Sequence, residues 1–550
     1  MSNLINSAMS GLSAAQAALS VTGNNISNYT VAGYSRQTTV LGQANSTLTG
    51  KFYIGNGVNV AGINREYDSF ITAQLRGANT QASALSAQYA QMSNIDNMFS
   101  STTNNLSTTI QGFFSSLQTL VSNASDPSAR QTVLGKADGL VNQLQATDTY
   151  LRNVNSSLNT PVTSTVDSIN GYAKQIANIN QQIVKLKGAG AGSNPNDLLD
   201  QRDQLVNQLN QLVNVTVSQQ DGGSYDISIA NGVSLVQGDS YSQLKAVTSS
   251  SDPSKTTVAS VDASTGIAGE IPESQISGGS LSGLLAFRTE LDNTRNQLGQ
   301  LALTMGDSFN TQHKAGYDVN GDQGEAFFAL GAPSAYANSQ NSGTTQLTAT
   351  ITNSAQVQAS NYKVTYDGSQ WSVQRLSDNS SITATTGQDS SGNTTLSFDG
   401  LQVTVGGQPA NSDSFLVKPV ADVVVGMDVN ITNEAKIAAA GSTGGGSDNT
   451  NAQALLNLQT KKVITGSSTI TQGYASMVAD IGNKTSNLKT TSTTQAAVVT
   501  QLTNQQQSVS GVNLDEEYGN LTRYQQYYMA NAQVLQTAST LFQSLISAVS

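Results

Sequence analysis

The sequence has no cysteine and a single histidine, His313. The missing thiols exclude disulfide bonds, thiolate nucleophiles and thiolate metal ligands together. Any stability outside the cell must therefore come from packing or from assembly. His313 is the one candidate general base of its type, and it ends a predicted helix beside Lys314 and Gly316. We expect a capping or surface role for it, not catalysis.

Charged residues are scarce. They make up 11% of the chain, against about 25% in a typical globular protein, and Ser, Thr, Asn and Gln fill the gap. The 25 basic and 36 acidic residues give a formal net charge of −11. Nucleic-acid phosphates and anionic lipids bind clustered Lys and Arg. We therefore expect no nucleic-acid partner.

Long apolar runs are also missing. No stretch approaches the roughly 20 apolar residues that a membrane-spanning helix needs, so we expect no membrane insertion. A cleaved secretory signal peptide opens with Lys or Arg before its apolar segment. Here the first basic residue is Arg36, and polar residues interrupt every earlier apolar cluster. If the protein is exported, we expect a route that recognises an uncleaved end.

Sequence motifs for catalysis or metal binding are absent or incomplete. The chain contains no Gly-x-Ser-x-Gly elbow, no P-loop and no dinucleotide-binding glycine pattern. The segment Asp318-x-Asn320-x-Asp322 resembles the start of a calcium loop, but Gln323 and Ala329 occupy its sixth and twelfth positions. We therefore predict a turn rich in Asn and Asp at this point.

A second charged group, Asp200, Arg202 and Asp203, lies on one predicted helix face. No pocket signal accompanies it, so we expect a solvated patch of ion pairs. No constellation for catalysis remains. The sequence predicts no catalytic residue, no cofactor, no metal site and no enzyme activity.

Both ends of the chain combine helical periodicity with a lack of charge. Residues 1–35 and 524–550 contain no charged side chain, and none of the eight prolines lies in either end. Two ordinary surface helices would explain the periodicity, yet solvated helix faces normally carry Lys and Glu. We therefore predict an assembly interface, also covered by a chaperone before export, at residues spaced by sevens. These residues are Ile5, Leu12, Leu19, Leu514, Leu521, Tyr528, Leu535 and Phe542.

The interior repeats the seven-residue spacing. Apolar residues recur at strict sevens from Leu85 to Leu120, a run of about 50 Å if fully helical. Three Pro-containing pairs predict helix starts, with a capping side chain before each proline. They are Asp126-Pro127, Thr160-Pro161 and Asn194-Pro195. This pattern is typical of long helices in an elongated bundle.

Between the helices the apolar period changes to two. Alternating residues flank Asn231-Gly232, Asp367-Gly368 and Asp399-Gly400, and we predict a hairpin at each, with a primed turn at the first. These hairpins mark two β-rich insertions, at about 214–280 and 331–419. A helix at about 281–312 separates them.

The predicted fold class is α+β and multidomain. We expect an elongated α-helical coiled-coil or bundle rod built from both chain ends, with two inserted β-rich domains. Residues 1–40 with 510–550 form the terminal assembly domain, and 41–213 with 420–509 form the rod, which also takes in 281–330. Residues 214–280 are the first β-rich insertion, and 331–419 are the outer one.

Several segments resemble those of one known family. Gly11–Gln16 and Asn24–Gln37 resemble the signature of flagellar rod, hook and hook-associated proteins, and Gly511–Tyr518 resembles the C-terminal helix of that group. Ser35-Arg36-Gln37 and Asn196–Asp203 narrow the resemblance to the hook-associated protein 1 (FlgK) family.

The resemblance implies a structural subunit of the bacterial flagellum at the hook–filament junction. It implies type III export without a cleaved signal peptide and an extracellular location. The implied partners are further copies of the chain in a ring, the hook protein, a second junction protein and an export chaperone. The alternatives are another hook or rod component, a helical surface adhesin, or a secreted hydrolase on a flagellar scaffold. The adhesin would need an anchor or signal peptide, and the hydrolase a catalytic cluster.

Overall fold

The computed structural model describes residues 2–49, 51–100, 105–189 and 194–549. Within these ranges the chain forms ten α-helices. They are α1 (Ser2–Ser27), α2 (Ser69–Phe99), α3 (Leu106–Ser122), α4 (Pro127–Ser157), α5 (Asn159–Gly188), α6 (Asn196–Leu212), α7 (Gly279–Lys314), α8 (Thr450–Asn457), α9 (Ile470–Ser510) and α10 (Leu514–Val549). None of these helices is both long enough and apolar enough to cross a membrane.

The strands fall into three groups along the chain. The first is β1 (Gln37–Gln43), β2 (Thr47–Thr49), β3 (Phe52–Ile54) and β4 (Val58–Arg65). The second is β5 (Thr216–Gln219), β6 (Tyr225–Ile229), β7 (Val233–Gln237), β8 (Ser240–Tyr241), β9 (Leu244–Thr248), β10 (Thr256–Val261) and β11 (Ala268–Glu270). The third is β12 (Phe328–Ala329), β13 (Ser334–Ala337), β14 (Gln346–Ile351), β15 (Tyr362–Tyr366), β16 (Trp371–Arg375), β17 (Ser381–Ile382), β18 (Thr385–Gln388), β19 (Thr394–Phe398), β20 (Leu401–Gly406), β21 (Ser414–Lys418) and β22 (Asp428–Val429).

The predicted α+β class, with helices from both chain ends and β-rich insertions, is confirmed. α2 and α9 pack side by side although they come from opposite ends of the chain. They run antiparallel, because the Gln495 side chain donates to the Ala78 carbonyl at 3.1 Å and Gln506 donates to the Thr72 hydroxyl at 3.3 Å. The predicted boundaries between the four domains stay a prediction.

The seven-residue run from Leu85 to Leu120 is divided between two helices, so it does not have the length of about 50 Å that a fully helical run would give. α2 ends at Phe99 and α3 begins at Leu106, where the Asn105 side chain accepts from the Ser107 amide. Residues 101–104 of the run lie outside the described residues. The positions from Met92 to Leu120 in the run are still buried, because two shorter helices can turn the same apolar row toward one core.

One of the three predicted helix caps is confirmed. Asp126 accepts from the Ser128 amide at 2.9 Å at the start of α4. The caps predicted at Thr160 and Asn194 are wrong. α5 begins at Asn159, directly after α4, and α6 begins with no capping side-chain hydrogen bond. Proline fits within a first helical turn without any cap, so an X-Pro pair alone does not locate the cap residue.

The three predicted hairpins form as β6–β7, β15–β16 and β19–β20. In the first, the residues with positive φ at the centre of the turn are Ala230 (45°) and Asn231 (60°), and Gly232 donates to Ile229. The primed turn therefore lies one residue earlier than predicted. In the third, Asp399 (φ 43°) and Gly400 (φ 75°) form a primed turn.

Two antiparallel pairs between residues 37 and 65 were not predicted. β1 pairs with β4, and β2 pairs with β3 to form a smaller hairpin beyond them. Glycine and asparagine interrupt the apolar alternation of this segment, so its period is weak. The β1–β4 pair packs on α1, which places a β element beside the N-terminal helix.

Candidate assembly interface

α1 and α10 form an antiparallel helix pair, which we call the arm. Gly11 of α1 faces Asn531 of α10. At the other end of α1, the Arg36 amide donates to the Ser510 carbonyl at 2.8 Å, and its guanidinium lies 2.8 Å from the Glu516 carboxylate. The end of α1 therefore lies beside the start of α10, and the two chain ends lie together.

Small side chains allow the two helices to approach closely. α1 buries Ala8, Ala15 and Ala18, and α10 buries Ala538. Gly11 lies in the same contact, where a Cβ atom would overlap the Asn531 side chain. Alanine loses little side-chain entropy in a helix, so the contact is made with little conformational cost.

The predicted interface residues flank this contact. Ile5, Leu12, Leu19, Leu514, Leu521 and Leu535 are half-buried, whereas Tyr528 and Phe542 are 42% and 51% exposed. The centre of the α1–α10 contact is formed by the α10 residues three positions after the predicted ones, which include Asn531 and Ala538. The structure therefore brings the predicted residues of α1 and those of α10 together within one chain. It leaves Tyr528 and Phe542 of α10 exposed to solvent.

The exposed apolar surface of the protein is concentrated at this end. Most exposed large hydrophobic side chains of the described residues lie in residues 2–70 or 498–549. The exceptions are scattered singly: Tyr150, Val184, Leu186, Ile267, Val319 and Val425. Contiguous exposed apolar surface on a soluble chain marks an interaction site. The arm and the adjoining hairpins are therefore the candidate interface.

α1 lies between the β strands and α10. The Val58 amide donates to the Ser10 hydroxyl at 3.2 Å, and a Cβ atom at Gly57 would overlap Ser10. Gly57 has a φ of 91°, which favours glycine there as well. The β2–β3 hairpin therefore lies beside the first turns of α1, on a different side from α10.

A polar network attaches the arm to the rest of the chain. The Asn25 side chain donates to the Gln37 carbonyl at 2.9 Å and accepts from the Gln37 amide at 3.0 Å. The Tyr34 hydroxyl donates to the same Asn25 oxygen at 2.8 Å. Burial raises the pKa of Tyr34, and Asp197, Asp200 and Glu517 raise it further. The turn after α1 is therefore closed onto the strand that follows it.

Asp200 extends the network to α6. Its carboxylate accepts from the Ser35 amide at 2.9 Å, from the Ser35 hydroxyl at 2.8 Å and from Arg65 at 2.8 Å. Burial raises the pKa of Asp200, while the hydrogen bonds from Ser35 and Arg65 act in the opposite direction. Three segments distant in sequence thus meet at one carboxylate.

The prediction of a solvated ion-pair patch at Asp200, Arg202 and Asp203 is wrong, because all three are buried. Asp203 binds Arg65 at 2.7 Å and Arg76 at 3.0 Å. Arg202 donates to Asn180 at 3.0 Å and stacks on Tyr225, with its guanidinium carbon 3.4 Å from the ring centre. Charges are buried when such partners are present, and partners this distant cannot be read from helical spacing.

Comparison with known proteins agrees with these features. Family models match residues 92–328 (flagellar hook-associated protein FlgK helical domain) and 336–419 (flagellar hook-associated protein 1, D2-like domain). Models of a flagella basal body rod protein and of the flagellar basal body rod FlgEFG protein C-terminal match 5–34 and 505–548. Flagellar hook-associated protein 1 of Escherichia coli is 58% identical over 550 residues, covering 100% of both chains. This chain belongs to the flagellar hook-associated protein 1 family.

Two further relatives support membership in this hook-associated family. Flagellar hook-associated protein 1 of Salmonella typhimurium is 57% identical, again with 100% of both chains covered. The solved structure of the flagellar hook junction protein FlgK from Burkholderia pseudomallei has a TM-score of 0.75 and 30% identity. The match covers 80% of this chain and 100% of that one. The protein is accordingly a component of the bacterial flagellum.

The two remaining candidate sites, His313 and the segment Asp318–Asp322, make contacts within the fold. His313 is fully buried, so the expected capping or surface role is wrong. Its Nε2 accepts from the Ala438 amide at 2.9 Å and its Nδ1 donates to the Glu325 carbonyl at 2.7 Å. Burial lowers the pKa of His313 to about 4. The ring is therefore neutral and joins α7 to two loops that follow it in the chain.

The segment Asp318–Asp322 forms the predicted turn. Asp318 accepts from the Asn320 amide at 2.7 Å and from the Asp322 amide at 3.0 Å. The Lys436 ammonium group lies 3.3 Å from Asp318 and 2.9 Å from Asp322, where its single positive charge offsets part of the charge of the two carboxylates. Across the described ranges, no group of three or more His, Cys, Asp or Glu side chains is arranged to hold a metal ion.

Proposed function

We propose that this chain is a non-enzymatic structural subunit that joins the flagellar hook to the filament. The observation that carries the proposal is the concentration of exposed apolar surface on the arm and the adjoining hairpins. A flagellar subunit that assembles through its two chain ends needs such a surface there. The description of the Burkholderia relative as a hook junction protein supports the same function.

The subunits assemble into a ring through their arms. The helices α1 and α10 carry the predicted residues Ile5, Leu12, Leu19, Leu514, Leu521, Tyr528, Leu535 and Phe542, and neighbouring copies cover the sides that stay open. The hook protein contacts one side of the ring and a second junction protein contacts the other. The ring works mechanically, by matching a flexible hook to a stiffer filament.

The chain reaches this position by type III export with an uncleaved end. The second half of α10 has no charged residue and exposes Leu541, Phe542, Leu545 and Ile546. Such a surface promotes aggregation in the cytoplasm, so an export chaperone covers it, by holding an amphipathic helix in a groove. The lack of cysteine prevents disulfides from obstructing the passage.

A complementation experiment tests the proposal. A strain that lacks the gene should build hooks, secrete filament protein into the medium and bear no filaments by electron microscopy. Expression of this chain should restore filaments on the same hooks. As the matched control, a chain without residues 514–550 should leave the hooks bare. Normal filaments in the deletion strain, or bare hooks with the restored full chain, would refute the proposed function.

A further inference from the structure

The small β2–β3 hairpin exposes large apolar side chains that the rest of its own chain does not cover. Phe52 and Tyr53 are 74% and 77% exposed, and Leu48 is 56% exposed. An isolated two-stranded hairpin is at best marginally stable in water, and these residues would ordinarily need a covering surface. Within the described residues, the main packing partner of β2 is β3, and that of β3 is β2.

A second exposed apolar surface lies further along the arm, on another side of it. Gly57, at the base of the hairpin, touches Ser7 and Ser10 of α1. Because Gly11 faces Asn531 and the helices are antiparallel, α10 continues past Asn531 toward the N-terminal end of α1, and its last turns lie about 20 Å further along. There α10 exposes Leu545 and Ile546, at 53% and 54%.

The positive charge at the hairpin tip is complementary to the negative end of the α10 helix dipole. Residues 1–65 contain no acidic residue, and their three basic residues are Arg36, Lys51 and Arg65. Arg36 and Arg65 are held by carboxylates of the same chain, whereas Lys51 at the hairpin tip forms no ion pair within the described part of the chain. The last turn of α10 is the negative end of a 36-residue helix and has no basic residue.

We propose that the β2–β3 hairpin of one copy packs on the exposed end of α10 of a second copy. Phe52 and Tyr53 cover Leu545 and Ile546, and Lys51 approaches the last turn of α10. The contact joins the hairpin of one copy to a different surface, α10, of the next copy. Such head-to-tail contacts form a ring when the rotation between copies closes. Within one chain α1 lies between the hairpin and α10. When arms stand side by side, the hairpin of each arm can therefore face α10 of the next arm, and the contact repeats. The proposal rests on the proposed function, because it needs subunits that assemble through their arms.

Cysteine cross-linking tests the contact directly, because the chain has no cysteine of its own. Ser46→Cys on the hairpin and Ser544→Cys on α10 are conservative changes at exposed positions. A short thiol-reactive cross-linker applied to flagella that carry the double variant should give a ladder of dimers and higher multiples. The same reagent on the dilute purified chain should leave monomers. The control pairs Ser46→Cys with Ser264→Cys, on an exposed turn after β10, and should give no ladder.

The outcomes separate this contact from the function on which it rests. Filaments with no chain-to-chain ladder, or with Ser46→Cys attached to another protein, would overturn the contact and leave the junction function standing. Bare hooks with the unaltered chain would overturn the function itself.

A second variant avoids dependence on cross-linking geometry. Phe52→Ser with Tyr53→Ser should leave the melting temperature of the monomer unchanged and lower the number of filaments by about tenfold or more, because truncation of central contact residues weakens association by that factor or more. Ile267→Ser, 69% exposed and remote from the arm, should leave both unchanged. Normal filament numbers with the double serine variant would also overturn the contact.

Discussion

Ser35 and Asp200 are joined by two hydrogen bonds although they lie 165 residues apart in the chain. The amide of Ser35 donates to one carboxylate oxygen of Asp200 and its hydroxyl donates to the other, at 2.9 and 2.8 Å. Ser35 is the residue at which the chain leaves the turn after α1, and Asp200 belongs to α6. This pair therefore fixes the position of the arm relative to the helices behind it.

Asp200→Asn should loosen that attachment without unfolding the protein. The amide keeps the size of the carboxylate but loses its charge and one acceptor, which costs about 1–3 kcal/mol for a buried group. Hydrogen exchange should show faster exchange of the Ser35 amide than in the unaltered chain. Asp221→Asn, in an exposed turn, is the matched control and should change nothing. Unchanged exchange at Ser35 in Asp200→Asn would mean that other contacts hold the arm.

Two glycines of α1 should respond oppositely to alanine. Gly11 faces Asn531, where a Cβ atom has no room, whereas nothing lies within 4 Å of a Cβ atom at Gly23. In an open helical site, Gly→Ala is stabilising by about 0.5–1 kcal/mol. Gly23→Ala should therefore slow hydrogen exchange in the arm, and Gly11→Ala should accelerate it by separating α1 from α10. Equal effects of the two variants would argue against close packing at Gly11.

Leu535→Asp should impair assembly more than folding. Leu535 is only half-buried in the single chain, beside the α1–α10 contact. A neighbouring copy would cover it in the assembly, and a charge buried there without a partner costs several kcal/mol. We expect a nearly unchanged melting temperature of the monomer, since the main core lies elsewhere, together with bare hooks and weaker chaperone binding. Gln536→Asp adds the same charge at an exposed neighbouring position and should support filaments. A much lower melting temperature for Leu535→Asp would make this seam part of the monomer core.

Stability should fall as the medium becomes mildly acidic. His313 has a folded pKa of about 4 against an ordinary value of 6.5, so its stabilising contribution is present above pH 6.5 and is lost as pH falls through 4. Between pH 7 and pH 5 the free energy of unfolding should decrease by about 2 kcal/mol from this group.

Since the chain has one histidine, its imidazole signals in proton NMR report the titration directly. The His313→Asn variant should be less stable than the unaltered chain at pH 7. Its free energy of unfolding should not show the decrease of about 2 kcal/mol between pH 7 and pH 5. An imidazole that titrates near pH 6.5 in the folded protein would contradict the burial of His313.

The outer β-rich segment should be dispensable for assembly. Its ends lie side by side, since Ser334 in β13 pairs with Lys418 in β21. Replacing residues 331–419 with a short Gly/Ser linker should therefore leave the helices connected and filaments growing. The replacement also removes Lys418, which lies 2.8 Å from the buried Asp252, so a lower melting temperature is expected. Bare hooks with a soluble, exported variant would show that the segment is needed.

Local patterns were enough to predict much of the fold. The helical period of both chain ends, the turns at Asp367-Gly368 and Asp399-Gly400, and the cap at Asp126 depend on neighbours a few residues away. The structure contains each of them. The seven-residue row through Met92 and Phe113 was also correctly predicted to be helical, although its division between two helices was not predicted.

Contacts between residues that are distant in sequence could not be predicted from such local patterns. Asp200 and Asp203 were predicted to be solvated because their partners, Ser35, Arg65 and Arg76, lie more than 120 residues away. His313 was predicted to be at the surface for the same reason, since Ala438 contacts it from a distant loop. The β1–β4 pair packs on α1, and the apolar alternation of residues 37–65 was too weak to predict either this pair or the β2–β3 hairpin.

The sequence by itself determined what kind of surface the chain ends carry. The absence of charge from residues 1–35 and 524–550, their helical period and the lack of cysteine follow from composition and period alone. Only the tertiary structure decided which side of each end stays open, because α1 and α10 cover each other along the row of Ala15 and Ala538. Burial depends on which side chains approach from distant segments, and that approach is decided by packing in three dimensions.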